Sequence, residues 1–158
     1  MSGCDMIVNL NTLPDAPKVP DGVRIKRAYA GDLGVILDFI RERFAPMWVY
    51  EAQKAIMQSP GTCFIATRDG KLLGFACYDS SAKGFFGPIG VDEAARGQDV
   101  GTALLFRTLE AMREAGYGYG IIGWVSDARP FYEKGVGARI IEGGEPENSV
   151  YKNMVSMQ

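Results

Sequence analysis

The sequence predicts an α/β domain of the α+β type, a sandwich on a mostly antiparallel sheet with one parallel β-α-β crossover in its second half. Three observations carry that reading. Asp69-Gly70, between the apolar runs Cys63–Thr67 and Leu72–Tyr78, is the pair that a two-residue hairpin turn with positive φ favours. Phe85–Val91 follows as a third strand in series. A helical apolar period from Val100 to about Ala115 then leads to Ile121–Val125, an almost wholly apolar run of the kind found inside a covered sheet.

The other elements follow in order. Met6-Ile7-Val8 reads as an edge strand or arm, and Pro14, Pro17 and Pro20 make residues 9–22 an irregular lead-in. Val23 to Ala28 alternates as a half-buried strand does. Asp32 can cap a helix whose Leu33, Ile36, Leu37, Ile40 and Phe44 share one face, with Pro46 ending it. A weaker helix spans about Val49 to Gln58 and stops at Ser59-Pro60-Gly61. Gly87 and Pro88 mark a bulge or a splay in the third strand of the meander. The long helix buries Val100, Leu104, Leu105, Leu109 and Met112 and stops at Gly116. Pro130 opens a short helix to about Gly135, and Arg139–Glu142 and Val150–Val155 read as final strands.

Composition bounds the function. The 158 residues fit one domain, 1–158, with 47% hydrophobic and 23% charged residues, a globular balance. A net charge of −2 without a Lys/Arg-rich run gives no attraction to nucleic acid. No apolar run approaches the ~18–20 residues of a membrane span. Met1-Ser2-Gly3-Cys4-Asp5 lacks the regions of a signal peptide, and Cys4, Cys63 and Cys77 have neither zinc nor disulfide spacing, so a reducing cytoplasm is the default. The most restrictive feature is the absence of histidine, which removes Ser-His-Asp and Cys-His catalysis and most catalytic zinc sites. Proton chemistry falls to carboxylates, Tyr, Lys, Cys, backbone or water.

The stretch from Val91 through Arg96-Gly97-Gln98-Asp99-Val100-Gly101-Thr102 is a strand, a glycine-containing loop and a helix N-terminus. Unpaired N–H groups and the helix dipole make such a junction an anion site. Gly118-Tyr119-Gly120-Ile121-Ile122-Gly123 also spells GxGxxG, but there a helix precedes and a strand follows, the reverse of a dinucleotide fingerprint. A glycine-rich loop entering a strand is the better reading of it.

The order of elements, with two motifs, resembles the GNAT superfamily of acetyl-CoA-dependent N-acetyltransferases from about Val23 to Val155. Arg96–Thr102 resembles its pyrophosphate loop, Arg/Gln-x-x-Gly-x-Gly/Ala, and Phe131-Tyr132-Glu133-Lys134-Gly135-Val136-Gly137-Ala138 resembles its Tyr-Glu-Lys-x-Gly segment. The resemblance implies a mixed, mostly antiparallel sheet of about seven strands with helices on both faces, and acetyl-CoA as co-substrate. It implies that Val91, Arg96, Gly97, Gln98, Asp99, Val100, Gly101 and Thr102 hold the co-substrate, with backbone N–H groups near Val91 polarising the acetyl carbonyl. Tyr132 is the implied proton donor to the departing thiolate; at the level of residue chemistry, a ring packed on the sheet is the alternative. Trp48, Tyr50 and Trp124 fall where the family walls its acceptor cleft, although aromatics between two helices are more often core.

One position departs from the loop pattern. Aligning Arg96 with the family Arg puts Asp99 where the first signature glycine belongs, while reading from Gln98 to Gly101 and Ala103 satisfies the pattern formally. A carboxylate ~5 Å from a phosphate costs of order 1–3 kcal/mol for effective dielectrics of about 80 to 20, and little if it turns to solvent. The expected activity is acetyl transfer to a primary amine of a small molecule or peptide, by direct attack in a ternary complex. Asp79, Asp92, Glu93, Asp127 or water are the candidate proton acceptors, with none singled out. Partners are that amine, with no nucleic acid or membrane, and a homodimer left open. The alternative is a degenerate, non-catalytic CoA-binding module serving as sensor or partner subunit.

Overall fold

The computed structural model describes residues 2–157; Met1 and Gln158 lie outside the described residues. Seven strands form one sheet: β1 (Cys4–Asn9), β2 (Val23–Arg27), β3 (Cys63–Arg68), β4 (Lys71–Tyr78), β5 (Phe85–Val91), β6 (Tyr119–Val125) and β7 (Arg139–Ile140), in the order β2-β3-β4-β5-β6-β1-β7. Every pairing is antiparallel except β5 with β6, the expected crossover. The hairpin turns at Asp69 and Gly70, both at positive φ (51° and 75°).

Helices α1 (Leu33–Arg43) and α2 (Pro46–Met57) cover one face, burying Ile36, Phe39, Ile40, Val49 and Ile56 against Cys63, Ile65, Phe75 and Cys77. Helix α3 (Val100–Glu114) covers the other face, with Val100, Leu104, Leu105, Leu109 and Met112 all buried as its periodicity requires. Helix α4 (Arg129–Val136) adds Tyr132 and Val136 to that second core.

Four local expectations change. Pro46 does not end α1, which stops at Arg43; Pro46 opens α2, the first-turn position where its missing N–H costs nothing. Asp32 makes no cap bond to α1; its carboxylate accepts from the Tyr29 N–H (2.8 Å) and Lys26 Nζ (2.8 Å) instead. The first strand is not at the edge, because β1 inserts between β6 and β7 with Met6 and Val8 buried. Val150–Val155 is not a strand. The chain from Pro146 onward folds into short 3-10 turns (Pro146–Asn148, Val150–Asn153, Val155–Met157), since β1 already pairs with the edge of β6 that a last strand would take.

Candidate active site

Strands β5 and β6 pair only at Phe85↔Ile121 and Phe86↔Ile122, then diverge. The cause is in β5. Its register against β4 advances three residues, Phe86 to Ile89, while β4 advances two, Tyr78 to Ala76. This is a one-residue bulge at Gly87-Pro88, with Gly87 at φ 116°. The bulge also switches which backbone groups face β4. Before it, the Phe85 carbonyl accepts from Asp79 (2.9 Å); after it, the Asp92 N–H donates to Leu73 (2.8 Å). By strand alternation, the N–H groups of Ile89 and Val91 then point away from β4, into the gap.

The opening is a cleft of about 1070 Å³, walled by β5 and the far half of β6 and closed by α2, α4 and the C-terminal segment. One end meets the β5–α3 loop. The first intrahelical bond of α3 runs from the Ala103 N–H to the Asp99 carbonyl (3.1 Å), so the N–H groups of Val100, Gly101 and Thr102 have no helical acceptor. Arg96 reaches back along the loop, its Nε donating to the Val91 carbonyl (3.3 Å). Gln98 accepts from Arg68 (3.0 Å), tying the loop to the end of β3. A Cβ at Gly101 would lie 3.6 Å from Val91 Cγ2 and 3.9 Å from the Phe131 ring, both cleft residues, so the fold itself does not require glycine there. A smaller cavity of about 430 Å³ continues between α3 and α4, past Thr102, Leu105, Phe131 and Lys134. Free N–H donors, a helix dipole and a backbone left open suit a phosphate-bearing, extended ligand.

Asp99 sits at φ 64°, ψ 16°, in the left-handed region, and makes no side-chain bond to the helix it precedes. The departure from the glycine pattern therefore falls where the backbone itself favours glycine, and Asp is among the few residues that tolerate it.

Tyr132, on α4, is 5% exposed, its ring edge-on to Phe86 (6.1 Å) and Phe131 (5.1 Å). Its hydroxyl has no hydrogen-bond partner among the described residues, and the residue lines the cleft. Burial pushes its phenol well above the ordinary range, keeping it protonated and a donor at neutral pH.

At the other end, Trp48 on α2 stacks on Phe44 (5.2 Å), and both line the cleft. Gly90 makes room, since a Cβ there would come within 2.6 Å of the Phe44 ring. Trp124 lines the facing wall and packs on Tyr151 (5.1 Å). Tyr50 does not join them; it is 70% exposed, away from the cleft. Of the loop residues, Arg96 and Gly101 line the main cleft with Val91 and Thr102 lines the adjoining cavity, whereas Gly97, Gln98 and Asp99 are exposed on the loop and Val100 buries its side chain.

The carboxylates sort themselves by partner. Asp79 is held by the Tyr117 hydroxyl (2.7 Å) and the Gly84 N–H (2.7 Å), outside the cleft lining. Asp92 pairs with Arg43 (3.3 Å) and Glu93 is exposed. Asp127 lines the cleft from an exposed position. The residue that sequence reasoning passed over is Glu51, one turn beyond Trp48 on the same face of α2, lining the cleft half-buried. Its carboxylate accepts from the Ser81 hydroxyl, and burial raises its pKa above the usual carboxylate range. The i, i+3 spacing to Trp48 is the only sequence signal that could have found it.

Asp5 sets the facing wall. Buried on β1, it accepts from the Trp124 N–H (2.9 Å) and the Ser149 hydroxyl (2.5 Å). It thereby holds both the left-handed Trp124 (φ 49°) and the turn that delivers Tyr151.

A splayed parallel pair with a helix N-terminus at one end and a buried tyrosine beside it makes a cleft suited to an extended, phosphate-bearing ligand. The model of the Acetyltransferase (GNAT) family matches residues 34–138. The chain belongs to that family, whose co-substrate is acetyl-CoA. Among solved structures it is similar to the GCN5-related N-acetyltransferase from Sphaerobacter thermophilus, with a TM-score of 0.69 at 20% identity over 87% of this chain and 48% of that one. It is similar to the glucosamine N-acetyltransferase region of a fungal multi-domain β-N-acetylglucosaminidase (TM-score 0.69, 16% identity, 88% of this chain and 20% of that one). A GNAT family acetyltransferase from Brucella melitensis in complex with acetyl-CoA matches with a TM-score of 0.51 at 20% identity, over 69% of this chain and 80% of that one. The chain spans less than half the length of the first two. No curated protein matches the sequence. Among the described residues no helix is long and apolar enough to cross a membrane, and no group of three or more His, Cys, Asp or Glu could hold a metal ion.

Proposed function

We propose that the protein is an N-acetyltransferase that moves acetyl from acetyl-CoA to a primary amine of a small molecule or peptide, by direct attack in a ternary complex. The observation that carries this is the bulged β5, which turns the Ile89 and Val91 N–H groups into a cleft that has a helix N-terminus at one end and an unpartnered Tyr132 hydroxyl on its wall. The N–H groups of Val100, Gly101 and Thr102, with Arg96 alongside, hold the pyrophosphate. The Val91 N–H donates to the carbonyl oxygen as negative charge develops there. Tyr132 protonates the departing thiolate and is reprotonated by the surplus proton on the new amide nitrogen, so no covalent acetyl-enzyme is needed.

Calorimetry with CoA and a free-thiol assay over an amine panel test this reading. Tyr132→Phe should bind CoA as the unmutated protein does and lose about 10²–10⁴-fold in turnover. Unchanged turnover would refute the role of Tyr132. Asp99 favours one second reading, a non-catalytic CoA-binding module, because it sets a negative charge at the mouth of the phosphate site. CoA binding without turnover on any amine would select that module.

A further inference from the structure

We propose that Glu51 docks the acceptor amine and takes its proton, so that the acceptor is a primary ammonium carried on an apolar or aromatic body with no anionic group of its own. The inference rests on the N-acetyl reading above and adds the class of acceptor.

Geometry carries it. Glu51 projects from α2 into the end of the cleft walled by Phe44, Trp48, Trp124 and Tyr151. The adjoining turn holds it twice: the Ser80 hydroxyl donates to its main-chain carbonyl, and the Ser81 hydroxyl to one carboxylate oxygen, Oε2. The other oxygen has no protein donor among the described residues, which leaves it for a ligand. Among the described residues it forms no ion pair, and the nearby Lys54 charge offsets only part of what burial does to it. Lys54, on the same helix, directs its Nζ to the Ser80 carbonyl (3.2 Å), and from other elements only the buried Cys77 thiol of β4 and the Tyr151 phenol face it. The charge of the whole lining agrees. Its carboxylates are Glu51 and Asp127, and its one cation, Arg96, belongs to the phosphate end. An ammonium gains a partner here, whereas a carboxylate on the acceptor meets Glu51 and Asp127 in the lining, with Lys54 turned to the Ser80 carbonyl and Arg96 at the phosphate end.

The proton balance is simple. Glu51 accepts one proton from R–NH3⁺, and the freed lone pair forms the C–N bond as the C–S bond breaks. The Glu51 proton then leaves to solvent as the net proton of the reaction. Burial raises the Glu51 carboxyl, which shortens its pKa gap to the amine.

Steady-state kinetics on the intact protein with acetyl-CoA test the idea, using phenethylamine and its α-carboxylated counterpart phenylalanine as probes. The unmutated protein should prefer phenethylamine at least tenfold in kcat/KM, and its rate should fall as pH drops through the raised Glu51 pKa. Glu51→Gln should lose about 100-fold or more in kcat/KM for the amine, lose that acid limb, and bind CoA within twofold of the parent. Ser81→Ala removes a hydrogen bond that favours the charged carboxylate, so it should move the acid limb to higher pH, a shift that a merely structural serine would not cause. Retention of the acid limb in Glu51→Gln, or a preference for phenylalanine, would overturn the proposal while leaving N-acetyl transfer intact. CoA binding with no amine turned over by the unmutated protein would overturn the N-acetyl reading, and this inference with it.

Discussion

Replacing Gly101 by alanine should push stability and ligand binding in opposite directions. Gly101 is the second residue of α3, at an ordinary helical φ, and the added Cβ would meet its nearest atoms at 3.6 and 3.9 Å, normal van der Waals distances. Nothing in the fold has to move. Alanine is the better helix former by up to about 1 kcal/mol, less near a helix end, which corresponds to a gain in Tm of about 1–4 °C for a chain of this size. The same methyl stands between Val91 and Phe131, over the helix N–H groups that a pyrophosphate must approach. Loss of one charge-assisted hydrogen bond there costs about 1.5–3 kcal/mol, or about 10- to 150-fold in the Kd for CoA. Thermal melts of the free protein and calorimetry with CoA read the two effects separately. A lower Tm would refute the packing argument. An unchanged Kd would refute the loop register that starts at Gln98, which puts Gly101 where the pattern keeps glycine; the register that starts at Arg96 puts Gly101 where the pattern admits alanine.

Asp99→Gly relieves the left-handed strain and removes a charge, so it should raise Tm and tighten CoA binding up to about tenfold at low salt, with the gain shrinking as salt rises; no change in binding would mean that the carboxylate points to solvent. Asp5→Ala leaves the Trp124 N–H and the buried Ser149 hydroxyl without their acceptor and should cost about 2–5 kcal/mol in denaturant unfolding; a loss under about 1 kcal/mol would show that water replaces the carboxylate. Burial, reinforced by the Asp79 carboxylate, pushes the Tyr117 phenol up to about 12. A raised phenol contributes stability that is complete below the unfolded value of about 10 and is lost as pH rises through 12, and Tyr132 and Tyr151 shift in the same direction. Tyrosinate absorbance at about pH 11 should therefore be smaller for the native protein than in urea, and equal values would remove the effect.

What the sequence made legible was local. Asp69-Gly70, the apolar period of α3 and the glycines around Arg96 each act within a few residues of themselves, so the hairpin, the long helix and the glycine-containing loop before it emerge from pattern alone. The other end of the cleft is assembled from Glu51, Trp124, Tyr151 and Asp5, which are far apart in the chain. Periodicity places Tyr151 in a strand because Val150–Val155 is apolar enough for one, and nothing local says that the position in the sheet is taken. Tyr50 fails for a related reason. Two residues beyond Trp48 on a helix is about 200° around the axis, so one aromatic faces the cleft and the other faces solvent.

The place of β1 links these observations. Because β1 fills the place beside β6, the chain after β7 does not pair there and folds into short 3-10 turns instead. Asp5 then does two things from one buried position, fixing Trp124 at the end of β6 through its N–H and pinning Ser149 two residues before Tyr151. Tyr151 lies against β6 only because residue 123 is glycine; a Cβ there would come within 2.0 Å of its hydroxyl. The far wall of the cleft therefore depends on the first strand, while the β5–α3 loop depends on β5, α3 and its tie to the end of β3. Asp5→Ala should accordingly raise the KM for the amine while leaving CoA affinity nearly unchanged, a division that global loosening of the fold would not produce.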